Sequence, residues 1–168
     1  GAQTITNVAQ ASWSAGGTDF TATSNAVSFA VTQIPATLQT FSRSPSSNQS
    51  LPYTPALCNG APIQLPGDSG PGQGTIGANP TGEIRPGETL IIKMNAPSAN
   101  LSPTAIDKVD YVITSPAGDR ETLTVFETAP DSGVFVAALA THLVPPQPTQ
   151  GDCRLGVTGG GRISIVAT

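Results

Sequence analysis

Between Asp107 and Leu143 the apolar residues recur at every second position, in three runs separated by turn residues. In Lys108–Thr114, Val109, Tyr111 and Ile113 share one face, and Asp110, Val112 and Thr114 the other. In Arg120–Glu127, Leu123 and Val125 lie on one face between Glu121 and Glu127. Val134–Leu143 is nearly all apolar. A period of two, rich in β-branched and aromatic residues, marks β-strands. Ser115-Pro116-Ala117-Gly118 and Ala129-Pro130-Asp131-Ser132-Gly133 supply the turns, with Pro presetting φ and Gly tolerating φ > 0. The three runs predict an antiparallel meander.

The pattern continues on either side. Residues 2–14 alternate, with Ile5, Ala9, Ala11 and Trp13 on one face. Ala15-Gly16-Gly17-Thr18 reads as a hairpin turn, and Asp19–Thr32 as a long second strand with Val27, Phe29 and Val31 on its apolar side. This predicts an N-terminal β-hairpin over residues 1–34. A lone hairpin is marginal in water, so it must dock through Ile5, Trp13, Val27, Phe29 and Val31, in cis or in trans. Residues 35–82 break the pattern with repeated Pro and Gly. No long central strand is expected there, only a short one near Leu38–Ser42. The segment is either a linker or draped over the rest. Over 83–168 the alternation returns: Glu88–Asn95 with Leu90, Ile92 and Met94 inward, then the meander, then Arg162–Ala167 with Ile163 and Ile165 inward. Leu90, Ile92, Tyr111, Ile113, Leu123, Val125, Phe135 and Leu139 form the expected core. The expected fold is all-β: an antiparallel two-sheet Ig-like sandwich over 83–168, with an N-terminal β-hairpin and a Pro/Gly-rich irregular segment.

Composition narrows the function. Charged residues make up only 11% of the chain, well under the usual quarter. Solubility must then rest on Ser, Thr and other uncharged polar groups. The net charge is −4, Lys93 and Lys108 are the only lysines, and the arginines are scattered. That argues against nucleic acid as a partner, since phosphate neutralisation needs clustered cations. No apolar run approaches the roughly 18 residues of a membrane span, so no transmembrane segment is expected. Cys58 and Cys153 lie in predicted loops without metal-type spacing. They are either free thiols or a disulfide. The disulfide is the preferred reading, because an oxidising compartment suits the rest of the composition. It would pin the irregular middle of the chain to the end of the sandwich.

Candidate chemistry is sparse. Gly67-Asp68-Ser69-Gly70 mimics a serine-protease nucleophile loop, but the single histidine, His142, follows it within an apolar strand. A turn explains the tetrapeptide better, and His142 reads as a strand-end residue facing water. Asp107, Asp110, Asp119, Glu121, Glu127 and Asp131 could gather carboxylates for calcium, but no acidic spacing matches a calcium loop. They read instead as solvated turn carboxylates. A Lys–Asn amide crosslink through Lys93 or Lys108 lacks its surrounding signature. Asn48-Gln49-Ser50 and Asn100-Leu101-Ser102 match the glycosylation sequon, the second followed by Pro103. No catalytic, cofactor-binding or metal-binding residue is assigned.

Two stretches carry a resemblance. Ile5-Thr6-Asn7-Val8-Ala9 followed by Ser24-Asn25-Ala26-Val27-Ser28-Phe29-Ala30-Val31 resembles the hairpin that closes Ig-like repeats of large bacterial surface proteins. Pro86-Gly87-Glu88-Thr89-Leu90, Thr104-Ala105-Ile106-Asp107, Gly118-Asp119-Arg120-Glu121-Thr122 and Glu127-Thr128-Ala129-Pro130-Asp131-Ser132-Gly133-Val134-Phe135 resemble a second bacterial Ig-like surface module. The resemblance implies a secreted or bacterial cell-surface location and a structural or adhesive role without enzymatic activity. In such repeats the hairpin closes a domain whose earlier strands precede it; here the hairpin comes first. It could fold back on its own chain, dock on another copy to build a homopolymer head to tail, or pair with a neighbouring domain of the same polypeptide. The expected role is a non-enzymatic building block of a bacterial surface protein or extracellular fibre. The alternative is an adhesin-type module that recognises a protein or glycan through residues 40–80. Tyr53 is the only aromatic residue between Ser42 and Tyr111, which argues against a sugar-stacking platform.

Overall fold

The computed structural model describes residues 2–3, 13–15, 18–20, 27–32, 36–66, 74–145 and 147–168. Among the described residues four strands precede residue 33: β1 (Ala2–Gln3), β2 (Trp13–Ala15), β3 (Thr18–Phe20) and β4 (Val27–Thr32). The middle of the chain supplies β5 (Thr37–Arg43), β6 (Ser50–Pro52), β7 (Leu57–Cys58), β8 (Ala61–Pro62) and β9 (Thr75–Pro80). Then come β10 (Thr89–Asn95), β11 (Lys108–Thr114), β12 (Arg120–Phe126), β13 (Val134–Leu143), β14 (Leu155–Val157) and β15 (Ile163–Ala167). The only helical element among the described residues is a 3₁₀ turn at Pro97–Ala99.

Two sheets form a sandwich. The first has the order β1-β4-β15-β11-β12-β7-β8, the second β14-β13-β10-β5-β9-β6. Alternation decides what each sheet turns inward. Val109, Tyr111 and Ile113 of β11, Leu123 and Val125 of β12, and Ile163 and Ile165 of β15 are buried from one side. Leu90, Ile92 and Met94 of β10 and Phe135, Ala137 and Leu139 of β13 meet them from the other. The Tyr111 hydroxyl crosses between the sheets to donate to the Phe135 carbonyl at 3.1 Å. All eight residues named as the core are at most 1% exposed.

Within residues 1–34 the described residues pair in two places. Trp13 pairs with Phe20 and Ala15 with Thr18. Ala2 pairs with Thr32 and Gln3 with Val31. β4 then lies parallel against β15 of the same chain, with Ser28 in register with Ser164 and Phe29 with Ile165. Ile5 lies outside the described residues, as do the side chains of Trp13, Val27, Phe29 and Val31.

One expectation needs correction. β5 is a full seven-residue strand in the interior of the second sheet, paired with β10 on one side and β9 on the other. Its sequence, Thr37-Leu38-Gln39-Thr40-Phe41-Ser42-Arg43, contains no Pro or Gly; the breakers stand outside it, at Pro35 and Pro45. The prolines that do enter strands sit at ends or edges, Pro52 on β6, Pro62 on β8 and Pro80 at the end of β9, where no ladder donor is lost. Gly77 allows β9 to pass close to the β5–β6 turn: a Cβ there would collide with the Ser44 carbonyl.

β6 and β9 extend the second sheet and β7 and β8 the first, so the sandwich is not confined to residues 83–168, and among the described residues only part of the middle segment is draped. Register places Phe41, Ile91 and Ala138 side by side on the outer face of the second sheet, yet they are 3%, 0% and 0% exposed. Buried Ile63 and Leu65 belong to the segment that covers this face. The Pro66 carbonyl accepts a hydrogen bond from Arg43 Nη1 at 2.9 Å, and Ile63–Pro66 share a cleft with Ala140.

Candidate functional site

β12 carries two acidic residues on its core-facing side. Strict alternation that turns Leu123 and Val125 inward turns Glu121 and Glu127 inward too. Both are buried, at 0% and 1% exposed, and Asp119, just before the strand, is 1% exposed. The reading of these three as solvated turn carboxylates is therefore incorrect. Asp110 and Asp131 are exposed and Asp107 half-buried.

Each buried carboxylate accepts at least one hydrogen bond from a backbone N–H group of another segment. Glu121 Oε2 accepts from Cys153 N at 2.8 Å and Oε1 from Gly151 N at 3.1 Å. Asp119 Oδ2 accepts from Gly156 N at 2.6 Å, and Oδ1 from Arg120 N at 2.9 Å. Glu127 Oε1 accepts from Gly133 N at 2.7 Å and Oε2 from Asp107 N at 3.1 Å. Asp107 Oδ2 in turn accepts from Leu101 N and Ser102 N, at 2.7 and 2.9 Å. The acids fall into two groups at opposite ends of β12, so the six proposed from sequence do not converge on one ion.

The denser group surrounds the disulfide. Cys58 and Cys153 are bonded, joining β7 to the loop before β14. Asn59 Nδ2 donates to the Gly151 carbonyl at 2.6 Å. Cys153 itself adopts φ 67°, a conformation that costs a residue with a Cβ. Carboxylate oxygens of Asp119, Glu121 and Asp152 lie within 4.8 Å of one another. Burial is the main reason that the Glu121 carboxyl is pushed up to about 7. The Cys153 N–H opposes that shift, while a hydrogen bond to Asp152 and the charges of Asp119 and Asp152 add to it. Near neutral pH, Glu121 can hold a proton and donate it to Asp152. Asp152 was not among the acids singled out in the sequence; it reaches Glu121 only because the disulfide loop folds over β12.

The other candidates separate. Gly67–Gly70 lies outside the described residues. His142 sits near the end of β13, half-exposed, with Nδ1 3.3 Å from the Leu143 carbonyl. Neither Lys93 nor Lys108 is buried, so a crosslinking lysine would lack its sheltered site. Asn48 is exposed, and Asn100 Nδ2 donates to Asp131 at 2.8 Å. No helix among the described residues is long and apolar enough to cross a membrane. Compared with protein-family models, with curated proteins and with solved structures, the chain matches none.

Proposed function

We propose that this chain is a non-enzymatic, Ig-like structural building block of a bacterial surface protein or extracellular fibre, attached to its neighbours by strand addition. The observation that carries this reading is that β15 takes β4 as an added parallel strand, here from its own chain. Among the described residues, β4 is the only strand beside β15 on that side, so without it β15 would be the open edge of the first sheet. An edge of this kind is a template for another strand. The N-terminal ribbon that fills it can belong to the same subunit or to the next. Filled in trans, the contact is heterologous and propagates head to tail. The disulfide and the buried carboxylates support a durable extracellular module.

Register supplies the test. Ser28 and Ser164 are direct partners across β4 and β15, and neighbouring strands bring Cα atoms to about 5 Å, within disulfide range. The Ser28→Cys/Ser164→Cys chain is oxidised and run on a non-reducing gel over a range of concentrations. A ladder of covalent oligomers is the outcome expected for assembly in trans. An internally crosslinked monomer at every concentration would confine the ribbon to its own subunit and end the fibre reading. If no crosslink forms in either mode, the docking itself is wrong.

A further inference from the structure

We infer that the open cleft around Lys93, on the outer face of the second sheet, binds a hydroxylated carboxylate of the sugar-acid class. The cleft measures about 560 Å³, within the range of small-molecule sites. It occupies the part of that face next to β9, with Phe41 at its floor and Pro80 and Gln49 among its lining.

Lys93 stands on β10, an interior strand, half-buried. An acid on an adjacent strand would stabilise a lysine so placed. Its cross-strand partners here are Gln39 and Val136. Among the described residues no carboxylate is placed beside Lys93 in the cleft, and a ligand carboxylate is the natural complement of its ammonium. Gln39 and Gln49 are exposed, and each carboxamide offers two donors and an acceptor. Sugar hydroxyls, donors and acceptors at once, match that pair. The threonine hydroxyls nearby are already engaged: Thr40 Oγ1 donates to the Thr81 carbonyl at 2.6 Å, and Thr81 Oγ1 to the Glu83 carbonyl at 2.7 Å. They fix the wall of the cleft.

Stacking contributes little. Phe41 is 3% exposed and Tyr53 6%. Recognition is therefore polar and hinges on one charge. The chain carries a net charge of −4, so its overall field repels anions. An anion that binds does so because of this site. The inference stands apart from strand docking and develops the adhesive reading, so either can fail without the other.

The test is a ¹⁵N–¹H NMR titration of the intact, disulfide-bonded chain with D-glucuronate, D-glucose, acetate and a tetraglutamate peptide. Glucuronate is expected to shift the amides of Gln39, Phe41 and Lys93. Glucose and acetate should bind at least about tenfold more weakly, the factor that corresponds to about 1.4 kcal/mol. Lys93→Met keeps the aliphatic stem and removes the charge; it should weaken glucuronate about tenfold and leave glucose unchanged. Absence of cleft shifts with glucuronate, equal binding of glucose, or indifference to Lys93→Met overturns the inference. So does tighter binding of the peptide, which would make the cleft an acidic-peptide site. The comparison of glucuronate with glucose decides on the wild-type chain alone, whatever the variant's stability.

Discussion

Glu121 should make the stability of this protein fall as pH rises through neutrality. Its carboxyl titrates near 7 in the folded chain, against 4.5 as the ordinary value. Between those values the folded state holds a proton that the unfolded state has released. Stability is then fully present below about pH 4.5, declines above it, and has lost this contribution once pH passes about 7. At about 1.4 kcal/mol per pH unit the full shift corresponds to an upper limit of roughly 3 kcal/mol. The cover over Glu121 is a single loop whose Gly151, Asp152 and Arg154 are exposed, so solvent screens part of the effect and about 1–2 kcal/mol is expected. The assay is urea denaturation from about pH 5 to about pH 8 with the disulfide intact. Glu121→Gln removes the proton from the equilibrium. Its NH2 replaces one of the two accepting oxygens and faces Gly151 N or Cys153 N donor to donor, so the variant is less stable throughout, by about 1–3 kcal/mol. The slope carries the test. The difference between wild type and variant should shrink as pH rises, and Asp152→Asn should flatten the wild-type slope in part. Parallel curves for wild type and Glu121→Gln would refute the argument.

Replacing both cysteines, Cys58→Ala with Cys153→Ala, frees a loop spanning 95 residues in sequence. Chemical denaturation should register a loss of about 4–5 kcal/mol on the chain-entropy account; a loss under about 1 kcal/mol would mean that the bonds from Asn59 and Glu121 hold the loop unaided. At the other end of β12, Glu127→Ala leaves the N–H groups of Gly133 and Asp107 without their acceptor. That should cost about 2–5 kcal/mol, with Glu127→Gln costing roughly half, and hydrogen exchange at Gly133 should accelerate in step.

The meander was legible almost to the residue, because alternation and turn chemistry are both local. Lys108–Thr114 and Val134–Leu143 are observed as read, and the second strand ends one residue early, at Phe126. β14 had no such signal. Leu155-Gly156-Val157 is too short to show a period, and it is a strand only because β13 runs parallel beside it. β5 was underestimated because prolines and glycines on either side coloured the reading of a stretch that contains neither. The site divides in the same way. Glu121 and Glu127 share the parity of Leu123 and Val125, so their inward direction could be read. Their burial could not, since it depends on amides contributed by residues 30 or more positions away for Glu121. Asp152 is further from reach still: its approach to Glu121 depends on a loop held by the disulfide and by bonds from Asn59 and to Glu121.

The placement of the acids follows from the composition. A chain with 16 prolines and 18 glycines has many segments that no ladder can satisfy. Buried backbone N–H groups in such segments must still find acceptors. A carboxylate offers two oxygens on a flexible stem and so can serve two donors at once, from segments that share no strand. Glu127 does this for Gly133 and Asp107, and Asp107 extends the joint to Leu101 and Ser102; Glu121 takes both its donors, Gly151 and Cys153, from one loop, and Asp119 joins Gly156 to its own neighbour Arg120. Acids that a solubility argument would assign to the surface are spent instead on tying loops to one strand. Such ties cost desolvation, which for Glu121 appears as the raised titration point. A neutral amide in the same position would avoid that cost but would set an NH2 group, itself a donor, against one of the two N–H groups. The carboxylates of β12 are therefore structural joints, and the two ends of the sandwich should loosen independently when either joint is removed.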